Sequence, residues 1–162
     1  MIEKEKEIIT KIESLNTGKS PALAKSDIEF AVDNIRFIAG ACRTMQGQLS
    51  GEYNDVNESG KHKRLGSSIL RREPLGVIAA LIPWNYPFMI ACWKFAAVAA
   101  GNTLIIKPSS FTPLSAIKLI EILHESGLPP NYLNLITTDN PKEFLSVVLE
   151  RRLAQMITFT GG

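Results

Sequence analysis

Histidine and cysteine are scarce: the 162 residues hold only His62, His124, Cys42 and Cys92. Two cysteines exclude a disulfide scaffold, and no CxxC or paired Cys/His spacing points to zinc. A histidine-built metal centre is excluded on the same ground. This usage fits a reducing compartment, so a cytoplasmic location is expected. Charge of one sign is also lacking. Eighteen lysines and arginines against sixteen aspartates and glutamates leave +2, which excludes a strong polyanion signature for the chain as a whole. The local cluster Lys61, Lys63, Arg64, Arg71 and Arg72 has neither the interleaved aromatics nor the wide basic face of a nucleic-acid surface. It reads as solvated strand-and-turn charge, and no nucleic-acid partner is expected. No apolar run is long enough to span a bilayer. The stretch from Leu75 to Ile106 is broken by Pro83, Asn85, Pro87, Lys94, Gly101 and Asn102, so it reads as a buried core and no membrane partner is expected. The charged start, Met1 to Glu7, lacks the layout of a signal peptide. Neither GxGxxG nor GxxxxGK[ST] occurs, so the usual dinucleotide and phosphate-loop fingerprints are missing.

What is present is a globular balance, 45% hydrophobic and 21% charged. The length allows one domain with a core that needs no disulfide or metal. The first third reads as helical. Ile8, Ile9 and Ile12 form a short stripe before the turn Asn16-Thr17-Gly18. Ser26 with Glu29 matches a capping box. Ile28, Ala31, Val32, Ile35, Ile38, Cys42 and Met45 then recur at helical spacing. Cys42 lies on that stripe and is expected to be a small buried hydrophobe, not a reactive thiol. Residues 50–66 are polar and bear Gly, Asn and Ser, as a loop or hairpin would.

From Pro74 the pattern changes. Gly76 to Ile82 is an apolar run of strand length, and Pro87 to Ala100 is helix-like. Thr103 to Ile106 is a second buried strand. Thr112 is expected to cap a helix with Pro113 at its first position, where a missing amide costs nothing. Leu114, Ile117, Ile120 and Leu123 give that helix its apolar face. Tyr132 to Thr137 is a third strand, Asn140-Pro141 opens a helix through Glu150, and Met156 to Phe159 is a fourth strand. The order β-α-β-α-β-α-β implies an α/β fold with a parallel, doubly wound sheet, preceded by helices. Ligands bind such sheets beyond the carboxyl ends of the strands. The residues there are Pro83-Trp84-Asn85, Lys107-Pro108-Ser109-Ser110, Thr137-Thr138 and Thr160-Gly161-Gly162. Asn85, held between Pro83 and Pro87, reads either as a turn asparagine or as a donor to an oxygen that develops negative charge. Lys107 either snorkels to solvent or meets an anionic or hydroxyl-rich ligand.

These same residues carry a resemblance. Pro74-Leu-Gly-Val-Ile, Ile82-Pro-Trp-Asn-Tyr-Pro87, Trp93-Lys94, Ala100-Gly-Asn-Thr103, Ile106-Lys-Pro-Ser109, Thr112-Pro-Leu114, Gly127-Leu-Pro-Pro130, Leu133-Asn134 and Phe159-Thr-Gly161 resemble, in register over about half the chain, the coenzyme-binding region of the aldehyde dehydrogenase superfamily. Ile12 to Lys19 resembles the family's helix-ending segment before that region. Asn34 to Gly40 with Gly51-Glu52-Tyr53 resembles the branch that acts on aminoaldehydes such as 4-aminobutanal. The resemblance implies a variant Rossmann sheet within an incomplete coenzyme domain, divided as 1–73, helices and hairpin, and 74–162, the β-α-β-α-β-α-β portion. It implies NAD or NADP as coenzyme, a small-molecule aldehyde as substrate and a homo-oligomeric parent. By role, it implies Asn85 as oxyanion donor to the tetrahedral thiohemiacetal, Ile82 and Trp84 as lining of the coenzyme cleft, Lys107 on the adenosine ribose, and Phe159-Thr160-Gly161 as the turn against pyrophosphate and nicotinamide.

Departures from the family pattern carry their own expectations. Ser110 stands where the family often has Glu; losing that carboxylate removes repulsion against a 2′-phosphate, and NADP tolerance follows as an expectation. Gly162 replaces a usual Ser and so loses one hydroxyl donor to the pyrophosphate. Thr138 replaces a usual Gly near the adenine, and its branched side chain is expected to narrow that pocket. The segment between Lys94 and Gly101 is one residue short of the family's, which in a helix is a rotation of about 100°. The family's nucleophilic cysteine and general-base glutamate belong to segments after this region, and Cys92 sits in no recognised motif. The chain therefore reads as a fragment of an NAD(P)-dependent aldehyde dehydrogenase, an oxidoreductase converting an aldehyde to its acid, and is expected to be inactive alone. The alternatives are a non-enzymatic module or remnant that docks on a full-length relative, and a stand-alone nucleotide-binding domain.

Overall fold

In the computed structural model the described residues are 1–45, 48–56, 60 and 62–161. They form two compact units. One joins Met1–Cys42 to the stretch from Pro74 onward; the other is Arg43–Glu73. The hairpin unit ends at Glu73, and the early helices pack with the residues from Pro74 onward.

The first unit opens with a short 3-10 turn and helix α1 (Lys6–Thr17), which Gly18 closes in the left-handed region at φ 77°, its amide donating to the Ser14 carbonyl. Helix α2 (Pro21–Cys42) starts earlier than the capping-box pattern implies. Ser26 lies inside it. The cap is Ser20, whose hydroxyl accepts from the Leu23 amide at 3.3 Å, with Pro21 at the first position. Glu29 pairs instead with Lys6 on α1. Cys42, expected to be buried, is half-buried at the helix end.

Strands β3 (Val77–Leu81), β4 (Thr103–Lys107), β5 (Leu133–Leu135) and β6 (Met156–Phe159) make one sheet in the order β5-β4-β3-β6, all parallel. The stretch 87–100 is two helices, α3 (Pro87–Lys94) and α4 (Ala96–Ala99), parted at Phe95. Helices α5 (Leu114–Glu125) and α6 (Pro141–Glu150) complete the crossovers. As expected, Asn140 caps α6: its side-chain oxygen accepts from the Glu143 amide at 3.2 Å. Thr112, by contrast, does not cap α5, which begins one residue later than expected, at Leu114. The remaining pair, β1 (Gln48–Val56) and β2 (His62–Leu70), is the antiparallel hairpin of the second unit, paired from Gln48↔Leu70 to Val56↔His62. Of the basic cluster, Lys61 lies outside the described residues, while Arg71 is exposed and pairs with Glu73 at 3.5 Å.

Side-chain alternation explains the layering. Ile78, Ala80, Leu104, Ile106 and Leu133 project to one face, where they join Ile9, Ile28, Phe88, Leu119 and Ile122 in a single core. Each of the Ile, Leu and Phe side chains fully buried there contributes about 1.5–3 kcal/mol. Ala79 and Ile105 face the other way, towards α6. Helices thus cover both faces, as a doubly wound sheet requires. Charge is also buried in the helical layer. Glu13 is fully buried beside Ser115, and burial lifts its carboxyl above the usual range. Lys19 lies 3.8 Å from Glu13, 2.5 Å from Asp27 and 3.8 Å from the Tyr86 ring centroid.

Candidate coenzyme cleft at the carboxyl ends of the strands

The chain runs outward from β3 to β4 and β5, then α6 carries it back to β6 on the opposite side of β3. Such a reversal leaves a crevice beyond the two central strands. Register brings their ends to one level: Leu81 pairs with Lys107 on one side and Phe159 on the other. The ladder continues one residue further, with the Ile82 amide on the Lys107 carbonyl at 3.0 Å and the Thr160 amide on the Leu81 carbonyl at 3.3 Å. The cleft between these ends has a volume of about 490 Å³, within the span of small-molecule sites.

Seven of the residues singled out from the sequence line this one cleft: Ile82, Trp84, Asn85, Lys107, Phe159, Thr160 and Gly161. Ile82 is buried at its floor. Trp84 is 61% exposed at its rim. Asn85 is exposed, and its amide has no hydrogen-bond partner among the described residues. Lys107 is only 6% exposed. Its ammonium donates to the adjacent Pro108 carbonyl at 2.7 Å, and no carboxylate among the described residues lies within ion-pair distance. Burial holds its pKa below the ordinary lysine value. Gly161 has φ 140°, and a Cβ there would stand 3.4 Å from the Phe159 ring. Any other residue would be strained at that angle.

Two expected residues lie elsewhere. Ser110 is exposed on the loop after β4 and does not line the cleft. Thr138 lines a separate groove of about 380 Å³ between α6 and the sheet, and its hydroxyl accepts from the Asn140 amide at 3.0 Å. Gly162 lies outside the described residues. Pro83 and Ser109, both named at the strand ends, also line the cleft, as do Leu81 and Pro141, which were not singled out. Ser109 directly follows Lys107-Pro108 at a strand end. Pro141 opens α6, and only its place on a crossover helix beyond β5 hinted at the cleft. Lys94, the last residue of α3, donates to the Thr158 hydroxyl at 2.7 Å on β6. Neither cysteine lines the cleft. Cys92 is fully buried, and burial first, then Glu13, pushes its thiol well above the usual range, as expected of a core thiol. Among the described residues no group of three or more His, Cys, Asp or Glu is placed to hold a metal ion, and no helix is long and apolar enough to cross a membrane.

A parallel sheet in the order 3-2-1-4, with a cleft at its reversal point, defines a Rossmann-type doubly wound α/β fold. Comparison with known proteins carries the assignment further. The aldehyde dehydrogenase family model matches residues 1–162, and the chain belongs to that family. The 4-trimethylaminobutyraldehyde dehydrogenase of Sus scrofa is 38% identical over 165 positions, covering 100% of this chain and 31% of the relative; it fits the aminoaldehyde branch. The mitochondrial 10-formyltetrahydrofolate dehydrogenase of Homo sapiens is 39% identical over 84% of this chain and 14% of its own length. Among solved structures, betaine aldehyde dehydrogenase from Staphylococcus aureus in complex with NAD+ superposes with a TM-score of 0.87 at 30% identity, covering 99% of this chain and 31% of that one. An NAD-dependent aldehyde dehydrogenase from Sinorhizobium meliloti gives 0.86 at 33% identity, with 99% and 30% covered. The chain therefore spans less than a third of the length of these relatives.

Proposed function

We propose that this chain is the first portion of the coenzyme-binding region of an NAD-dependent aldehyde oxidoreductase. The observation that carries this reading is the cleft itself, where a buried ammonium without a counter-charge, a free amide and a turn ending in Gly161 converge at the reversal of a parallel sheet. The residues fit a dinucleotide. The Lys107 ammonium can donate to ribose hydroxyls. Ile82 and Trp84 offer apolar surface to the coenzyme. The Phe159-Thr160-Gly161 turn admits a pyrophosphate close to its backbone. The Asn85 amide can donate to the oxygen that gains charge when a nucleophile adds to an aldehyde. Bound NAD supplies the hydride acceptor.

NADP tolerance belongs to the same reading. Ser110 sets no carboxylate on the loop beside Lys107, whose ammonium can pair with a 2′-phosphate. Neither the core-buried Cys92 nor the half-buried Cys42 lines the cleft, so no thiol stands beside the Asn85 amide and the chain by itself should catalyse no aldehyde oxidation; the homo-oligomeric assembly and the aldehyde belong to a longer relative's machinery. The test is calorimetric titration with NAD and NADP. Both should bind, and Lys107→Met should weaken NAD about tenfold, the effect of about 1.4 kcal/mol. No binding to the native chain, or undiminished binding to the variant, overturns the coenzyme reading. NAD binding much tighter than NADP overturns the tolerance, and aldehyde-dependent NADH formation by the chain overturns its inactivity.

One observation favours a second reading, docking on a full-length relative. Leu23, Phe30 and Phe37 recur every seven residues along α2 and are all exposed, with Trp93 edge-on to Phe30. Co-purification with such an enzyme, lost on Phe37→Ser, is its signature.

A further inference from the structure

The Thr112 hydroxyl does not serve α5. It donates to the Trp84 carbonyl at 3.3 Å, across 28 residues of sequence. The amide it would have capped, that of Leu114, is taken by the side-chain oxygen of Asn16 at 3.0 Å, from 98 residues away on α1. The other end of the same Asn16 amide donates to the Phe111 carbonyl at 3.2 Å. Asn16 therefore grips the loop on both sides of Thr112. The loop is pinned again at the cleft: the Phe111 amide donates to the Ser109 hydroxyl at 3.3 Å and the Thr112 amide to the Ser109 carbonyl at 3.2 Å. Thr112 is 4% exposed, so little water competes for its hydroxyl.

We propose that Asn16 and Thr112 are positioning residues for the turn that carries Trp84 and Asn85. Asn16 caps α5 and clamps the loop on both sides of Thr112, and the Thr112 hydroxyl donates to the Trp84 carbonyl. That carbonyl is the peptide group joining Trp84 to Asn85, so fixing it fixes the direction in which Asn85 leaves the backbone. A hydroxyl can donate and accept at once, so what Asn16 supplies is placement: held at Phe111 and Leu114, the loop sets Thr112 with its hydroxyl towards Trp84. The functional consequence rests on the coenzyme and oxyanion roles proposed for the turn; the mechanical linkage does not.

The experiment is backbone ¹⁵N relaxation on the chain, with NAD titration alongside. In the native chain Trp84 and Asn85 should show order parameters near the rigid value of about 0.85. Thr112→Val should lower both below about 0.6 and weaken NAD about tenfold, while α5 keeps its order. Thr112→Ser should restore the native values, because it keeps the hydroxyl. Asn16→Leu should loosen Trp84 and Asn85 although Thr112 is intact, because the loop that aims its hydroxyl loses both of its anchors on α1. A purely structural Asn16 would instead loosen only the start of α5. Native order at Trp84 and Asn85 in Asn16→Leu overturns the proposal, as does native order in Thr112→Val. If Thr112→Val does not fold, Asn16→Leu, at a half-exposed position, decides alone. A native chain that ignores NAD while both variants lose order overturns the coenzyme reading and leaves the linkage standing. A chain that binds NAD and stays ordered in both variants does the reverse.

Discussion

Lys19 and Lys107 are both largely buried cations, and their surroundings differ completely. The Lys19 side chain is 13% exposed and sits between two carboxylates and an aromatic face: Asp27 at 2.5 Å, Glu13 at 3.8 Å and Tyr86 at 3.8 Å. Lys107 has one neutral carbonyl. A buried charge left without a counter-charge costs free energy. Lys19 offsets that cost within the helical layer, joining α1 to α2. Lys107 carries it unrelieved at the mouth of a cleft. This contrast, one cation buried with its counter-charges and another without them at a strand end, is what the proposed coenzyme role of Lys107 rests on.

The largest expected effect tests the paired side. Asp27→Ala leaves Lys19 with only the more distant Glu13 and the ring. Breaking a buried pair from one side costs about 3 kcal/mol or more. Urea unfolding should show that loss in the midpoint, with the slope unchanged. A loss below about 1 kcal/mol, the range of exposed pairs, would mean that Lys19 is solvated and that the contrast with Lys107 is false.

A middle-sized effect concerns Glu13. Burial is the largest influence on its carboxyl and raises the folded pKa above its ordinary 4.5. The folded chain then holds this proton when the unfolded chain has released it. Stability from this group is full below about pH 4.5, where both states are protonated, and is lost as pH rises through the folded value. Glu13→Gln keeps the shape and the Ser115 neighbour without a titrating group. The variant should gain about 1–2 kcal/mol on the native chain at pH 7, the scale of an imperfectly paired buried group, and the gain should vanish towards pH 4. A variant less stable than the native chain at pH 7 would show that Glu13 serves as the counter-ion Lys19 needs, strengthening the paired side of the comparison.

How far these differences were legible in sequence depends on the range of the interactions. The sheet was readable because parallel strands under helices are short, mainly apolar runs: Val77–Leu81 and the middle of Thr103–Lys107 are buried runs of that kind, while Met156–Phe159, exposed at both ends, was readable from its length and apolar content alone. Asn85 and Lys107 were readable as cleft residues because each stands immediately beyond or at the end of such a run. The caps were not. Ser26-x-x-Glu29 satisfies a local pattern, but Ser20-Pro21 supplies a better start and Glu29 finds Lys6 on another helix. Thr112-Pro113 satisfies another, and Asn16 outcompetes it from far along the chain. Ser110 and Thr138 show the same limit within the site: the loops after β4 and β5 were located, but local sequence did not determine which of their residues turn inward. Lys19 was silent for a related reason, since its partners come from three different segments.

The smallest effect on stability is expected from Lys107, and it is the most discriminating. Burial lowers its folded pKa below the ordinary 10.5. Between the folded value and 10.5 the folded chain has released this proton while the unfolded chain still holds it. Stability therefore rises with pH across that window, and the cost of the charged form is constant below it. Lys107→Met fills the same space without the charge, so at pH 7 it should match the native chain or exceed it by up to about 1 kcal/mol. Lys94 is also held below the ordinary value, so both chains should gain stability at alkaline pH. The quantity to read is the difference between them, which should narrow as Lys107 itself is neutralised. Loss of stability in Lys107→Met on the scale of Asp27→Ala would make Lys107 a structural cation like Lys19, and the cleft would then have no charge in reserve for a ligand.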